Sequence, residues 1–258
     1  MKSRVVTVGV MMGGLALGGV CLRSLESAGW ARLQELDAAG RLESTSAASE
    51  QALVQGALGA LRAGVADLVW LRLSKATEDH DLPATESLLR LVSVVDPRSQ
   101  YFWINGARIV AYDLPVWQID LAGGYGRVSA VAQEQFIRGQ ATRALLRLDE
   151  AMTFHPSSAA LWIERANIQF TRLGDVAGAA ESYRRASQQP AAPYFAARLH
   201  AELLRRLGRK AEALAWLTKL HPMLPAADES AGADLVLARI RVLERELMLP
   251  ADRVDCPR

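Results

Sequence analysis

Three glycines, Gly139, Gly174 and Gly208, stand 35 and 34 residues apart, and each opens the same pattern. Ala144 and Ala151 follow the first, Ala179 and Ala186 the second, Ala213 and Leu220 the third, always five and twelve positions on. A larger residue stands between the members of each pair: Leu148, Tyr183 and Leu217. Pro156, Pro190 and Pro225 close the three units. Residues seven apart lie on one helical face, so the small pair lets two helices approach closely. The larger residue fills the groove formed with the next unit. Gly174-Asp175 and Gly208-Arg209 end a first helix and allow a tight turn, and the prolines stop a second helix. One such unit cannot bury its apolar face alone, so stacking is obligatory.

The unit LWIERANIQFTRLGDVAGAAESYRRASQQP, from Leu161 to Pro190, resembles the tetratricopeptide repeat (TPR). The resemblance implies an all-α solenoid of TPR-like helical hairpins. Composition agrees with a helical chain: 258 residues, 50% hydrophobic but only 6% aromatic, with Ala and Leu dominant and both good helix formers. A weaker unit precedes the clear ones. Asp96-Pro97 closes a helix from about 85 to 95, and Trp103, Ala107 and Val110 then stand at repeat positions. That register is disturbed at Tyr112-Asp113-Leu114-Pro115, and Gly123-Gly124-Tyr125-Gly126 marks a further break. The segment ADLVWLR (66–72), followed by an acidic loop and Asp96-Pro97-Arg98, is similar to membrane-anchored bacterial TPR proteins over about residues 57–190. This implies an envelope location and no particular chemistry.

The N-terminus reads as an address or an anchor. Lys2 and Arg4 precede an uncharged run from Val5 to Leu22, followed by Arg23. Eighteen residues at ~1.5 Å rise reach roughly 27 Å, just enough for a bilayer core of ~30 Å. Two other readings compete with an anchor. A cleaved signal needs small residues at the cut, and Glu26 lies between Ser27 and the hydrophobic run. A lipoprotein needs small residues before Cys21, and Val20 spoils that match. An uncleaved signal-anchor fits best, with the positive end inside and the body outside.

The organisation expected is therefore a transmembrane segment (1–23), a juxtamembrane stub and linker (24–50), divergent helical repeats (51–122), TPR-like repeats (123–225), and a capping helix with a tail (226–258). The long apolar stretch from Glu50 to Thr77 carries Arg62 and Asp67 near its middle, which favours a core helix over a second span. A final helix from about Glu229 to Met248 stripes Val236, Ile240, Leu243 and Leu247 on one side, as a solenoid's cap requires. Cys21 and Cys256 cannot staple the body of the chain, and no Cys/His metal spacing exists.

The search for chemistry returns little. Thirty Lys+Arg against 28 Asp+Glu leave a net charge of +2, without the basic excess of nucleic-acid binders. No P-loop, GxSxG, GxGxxG after a strand or HExxH is present, so no cofactor and no small-molecule substrate is expected. Glu78-Asp79-His80-Asp81 is the best candidate for a metal-dependent enzyme; a solvated loop between two helices explains it better. Arg205, Arg206, Arg209 and Lys210 form a basic run that suits a phosphate or lipid headgroup, or a solvated helix end.

What remains is a groove. In TPR arrays the first helix of each unit lines a concave surface. The resemblance places there Tyr101, Asn105 and Arg108; Gln133 and Phe136; Glu164, Ile168 and Arg172; and Arg198, Glu202 and Arg205. A mixed aromatic, amide and arginine surface suits an extended peptide or a partner helix. Ile104 stands where a carboxylate clamp would need Lys. The expectation is a protein-interaction scaffold or assembly factor of an envelope complex at the bacterial cytoplasmic membrane, its body facing the periplasm or exterior. The rivals are the metal enzyme centred on 78–81 and a soluble exported TPR factor released after signal cleavage.

Overall fold

The computed structural model describes residues 46–225 and 228–248, with side chains from Leu61 onward. The expected anchor (5–22), the juxtamembrane stub and the tail after Met248 lie outside these residues. The chain divides into two units, 1–61 and 62–258, and the second is described below. Among the described residues every regular element is helical, so the fold is all-α.

The helices are α1 (Ser46–Glu78), α2 (Leu82–Val95) and α3 (Gln100–Arg108), then a π-turn (Ile109–Asp113) running into α4 (Leu114–Leu121). They continue with α5 (Ala130–Phe154), α6 (Ala159–Arg172), α7 (Val176–Ser187), α8 (Tyr194–Arg206), α9 (Lys210–Leu220) and α10 (Ala233–Glu246). Short 3₁₀ turns occupy His221–Met223 and Glu229–Ala231. Polar caps set several starts. The side chains of Asp81, Ser129, Ser158 and Asp175 accept from the backbone N–H of Ala84, Ala132, Leu161 and Gly178, satisfying donors that a helix leaves free in its first turn. Gly174 and Gly208 adopt φ of +65° and +76°, where an L side chain is disfavoured, and so end α6 and α8 as the repeat predicts.

The chain stays helical at Gly139 and at the Tyr112–Pro115 disturbance. Gly139 lies inside the 25-residue α5 and ends nothing. The Arg138–Glu134 pair spans the turn before it. Ala141, Ala144, Leu148 and Ala151 beyond it are fully buried, and their packing outweighs the ~1 kcal/mol that glycine costs a helix. At Tyr112–Pro115 the chain stays helical as well. Pro115 has no N–H and its ring would strike the carbonyl four residues back; widening to a π-turn over 109–113 relieves that without a break. Trp117, which follows the π-turn, is 7% exposed. The final helix starts at Ala233 rather than Glu229.

Packing is sequential. α6 lies on α7, α7 on α8, α8 on α9 and α9 on α10, while α5 covers α3, the π-turn and α4. The apolar core follows the same order. Leu73, Leu89, Trp103, Leu114 and Trp117 meet Ala144, Leu148 and Leu161. Ala166, Ala179, Tyr183, Ala186, Ala196 and Leu203 form the next cluster, and Leu204, Ala213, Leu217, Val236, Ile240 and Leu243 the last. The small residues at the repeat positions, Ala144, Ala151, Ala179, Ala186 and Ala213, are all fully buried, as close helix approach demands. α1 turns Ala66, Val69, Leu73 and Ala76 inward, while Arg62 and Asp67 stay exposed. No described helix is long and apolar enough to cross a membrane.

Candidate functional site

The groove residues divide into three groups. On α8 and α10, Phe195, Arg198, Leu199 and Glu202 share one face at i, i+3, i+4 and i+7 spacing. They stand opposite Leu235 and Arg239 across a cavity of about 510 Å³ floored by Leu217 and Val236. Phe195, Leu199 and Leu235 are 40%, 36% and 68% exposed. Arg198 Nη1 donates to the carbonyls of Ser230 (3.1 Å) and Ala231 (2.6 Å), tying α8 to the start of α10. Gly232, with φ of +62°, caps α10 there, and a Cβ on it would collide with that guanidinium. Glu202 accepts from Arg205 Nε and Nη2 at 3.1 and 2.6 Å and pairs with Arg239 at 3.6 Å. These guanidinium bonds, that of Arg205 first, hold its carboxyl below the usual range. The side of this groove is thus a charged network, and its mouth is apolar.

On α3 and α6 the arginines are already engaged. Arg108 donates Nε and Nη2 to Glu164 Oε2 at 2.9 and 2.7 Å, and Glu164 is 3% exposed. The Arg172 guanidinium lies 4.3 Å from the Tyr112 ring centroid, and Tyr112 Oη shares a hydrogen bond with Thr171 Oγ1 at 3.0 Å. Ile168 is fully buried in the core; its place is structural, not on the groove surface. Tyr101 is 57% exposed, edge-on to Trp70 at 5.3 Å, and Asn105 Nδ2 turns back to the Tyr101 carbonyl.

Gln133 and Phe136 belong to neither surface. The continuous helix through Gly139 puts them on α5, the partner of α3 and α4, instead of on a first helix of their own. Gln133 Nε2 donates to the carbonyls of Tyr125 (3.0 Å) and Val128 (2.8 Å) and so fastens the glycine-rich loop to α5. Phe136 is half-buried. The structure also adds residues that the repeat register left out. Phe195 and Leu199 precede and follow Arg198 on its own face. Leu235 and Arg239 were hidden by reading α10 only as a cap.

The acidic run 78–81 is occupied locally. Lys75 Nζ pairs with Asp79 at 2.7 Å and Glu78 at 3.7 Å, and Asp81 caps α2. His80, at φ +52°, stacks on Trp117 at 4.9 Å. Among the described residues no three His, Cys, Asp or Glu side chains gather closely enough to hold a metal ion. His155 and His221 stand at helix ends; His155 Nε2 lies 3.2 Å from the Pro97 carbonyl. No protein-family model and no curated protein matches the chain.

Proposed function

We propose that the chain is a TPR-like solenoid, held on the outer face of a bacterial cytoplasmic membrane by residues 5–22, and that it serves as a protein-interaction scaffold or assembly factor of an envelope complex. The observation that carries this reading is the α8–α10 groove. Three large apolar side chains stand open around a cavity of about 510 Å³, and the charged groups beside them are held in fixed pairs. Exposed apolar ground with a polar rim is what a partner helix or strand needs, and aromatic and arginine anchors supply much of the energy of such contacts. The glycine-ended hairpins, the sequential cores and the buried small residues support the repeat reading.

The test replaces Leu199 and Leu235 together by Ser in the full chain. Both side chains are exposed, so helicity and melting temperature should stay near those of the parent. A specific partner that copurifies with the parent should be lost. Retention of the same partner at the same yield by the double variant counts against the groove.

A further inference from the structure

A second, chemically different recess lies where α7, α8 and α9 meet. It comprises two adjoining cavities. One, of about 470 Å³, is lined by Glu181 and Arg184 from α7, His200 from α8, and Arg209, Glu212 and Lys219 from α9 and its start. The other, of about 350 Å³, is lined by Ala197, Leu220 and Met223 together with Ser187 and Gln188. Trp216 and Lys219 line both, so the two cavities adjoin at the indole.

The charged half offers donors in excess. Glu181 is already saturated: Arg184 donates Nε and Nη2 to it, both at 2.7 Å, and Arg185 Nε donates at 2.9 Å. Arg209 likewise grips Glu212 through Nε and Nη2 at 2.6 and 2.5 Å. Both carboxylates are therefore neutralised in place. Lys219 carries no ion pair among the described residues, and each paired arginine keeps an uncommitted N–H group.

His200 adds a lone acceptor. It is 6% exposed, packs edge-on against Trp216 at 4.6 Å, and sets Nδ1 2.8 Å from the Ala180 carbonyl. Only a donor can face a carbonyl, so the proton sits on Nδ1. Burial first, and Arg184 and Arg209 in addition, hold the imidazole below the usual histidine range, against the opposing pull of the Ala180 carbonyl and Glu181. It is neutral, and Nε2 is left as an acceptor with no hydrogen-bond partner among the described residues.

We propose that this double recess binds a phosphate monoester with an apolar substituent. The phosphate meets Lys219, Arg184 and Arg209, its protonated oxygen donates to His200 Nε2, and the substituent crosses Trp216 toward Leu220 and Met223. A phosphate monoester, whose second ionisation lies near pH ~6, carries a P–O–H donor in its monoanion, so binding near neutrality takes up one proton, which is held between the phosphate oxygen and His200 Nε2. A carboxylate near neutrality presents no proton for Nε2. Met223 is 71% exposed, so the apolar end is open and admits a chain longer than the cavity. Arg209 belongs to the basic run 205–210, which gives that run a use outside the α8–α10 groove. This site lies on other residues than the proposed partner groove and does not depend on it.

The test uses the full chain in phosphatidylcholine nanodiscs, with butyl phosphate, inorganic phosphate and butanol as probes, followed by calorimetry and by the imidazole signals of His200 in NMR. Butyl phosphate should bind more tightly than inorganic phosphate and shift the His200 signals, and butanol should do neither. Lys219→Gln and His200→Asn should each weaken binding by roughly tenfold or more, as the loss of a charge-assisted hydrogen bond implies. His200→Asn keeps a donor for the Ala180 carbonyl and leaves no acceptor at the Nε2 position. A third arm places phosphatidic acid in the discs. Loss of butyl phosphate affinity there identifies a lipid headgroup as the source; unchanged affinity identifies a free phosphate ester. Equal binding by both variants, or butyl phosphate titrations that leave His200 unmoved, would overturn the proposal.

Discussion

The guanidinium of Arg147 occupies the space that a side chain on Gly106 would need: a Cβ at Gly106 would stand 2.7 Å from Arg147 Nε and 3.0 Å from Leu89 Cδ2. Arg147 cannot swing away. Nη2 donates to Leu89 O at 3.0 Å and Ser93 Oγ at 2.6 Å, and the group lies 5.0 Å from the Trp103 ring centroid. Burial pushes it down to about 10, and Nε lies buried without a hydrogen-bond partner among the described residues. A charge thus sits in the seam between α2, α3 and α5, and glycine is the residue that makes room for it.

Gly106→Ala should therefore cost about 1–3 kcal/mol in urea unfolding, the usual range for overpacking. Arg147→Met should change stability by no more than about 1 kcal/mol, because an apolar group of similar length removes a buried charge. In the double variant the two effects should not add, since the collision is gone. Additive costs would place the two residues apart.

Arg108 and Glu164 make the sign of a second substitution unusual for a groove residue. Arg108→Ala strands a carboxylate that is 3% exposed, at a cost of about 1–3 kcal/mol. Arg108→Ala with Glu164→Gln should regain most of it. Arg108 is thus a poor probe of partner binding, and a fall in partner recovery with this variant alone would report folding. Melting temperatures of the single and double variants decide.

The helix contacts of the repeat are tested by Ala179, fully buried, and Ala177, exposed two residues away. Ala179→Leu should cost about 1–3 kcal/mol and Ala177→Leu no more than about 0.5 kcal/mol. Equal shifts in melting temperature would contradict the contact between α6 and α7.

Acid should unfold the protein in two limbs. The folded pKa of His200 lies below its ordinary value of 6.5, so the unfolded chain takes the proton first. The stability tied to neutral His200 is complete above about pH 6.5 and is lost as pH falls toward the folded value. Arg184, and then Arg185, draw Glu181 down from 4.5 to about 2. Its contribution is complete above about pH 4.5 and fades as pH falls toward 2, small because the pair is largely solvated. His200→Asn should flatten the upper limb and leave the lower. Melting temperature against pH measures both.

The hairpins around Gly174 and Gly208 were legible because positive φ, a following turn and a small-residue stripe coincide there. Gly139 carried the same spacing, but the burial of Ala141, Ala144, Leu148 and Ala151 kept the helix running. The Leu114-Pro115 disturbance was visible, but a sequence gives no means of telling a π-turn from a break. Of the site, Arg198 and Glu202 were legible through the TPR resemblance. The pairing of Arg108 with Glu164 was not, because the two are 56 positions apart and each helix alone shows only a charge at its surface. The His200 recess was invisible for the same reason: α7, α8 and α9 each give it one or a few unremarkable residues.

The central claim is that a protein partner occupies the α8–α10 groove, and site-specific photocrosslinking in cells tests it most directly. A photoreactive residue is placed in turn at Leu199, at Leu235, and at Val131, which is 69% exposed on α5 away from the groove. The expected result is one adduct, the same polypeptide from Leu199 and from Leu235, absent from Val131 and lost when Phe195 is changed to Ser. Adducts of equal yield from all three positions, or none from Leu199 and Leu235, would contradict it.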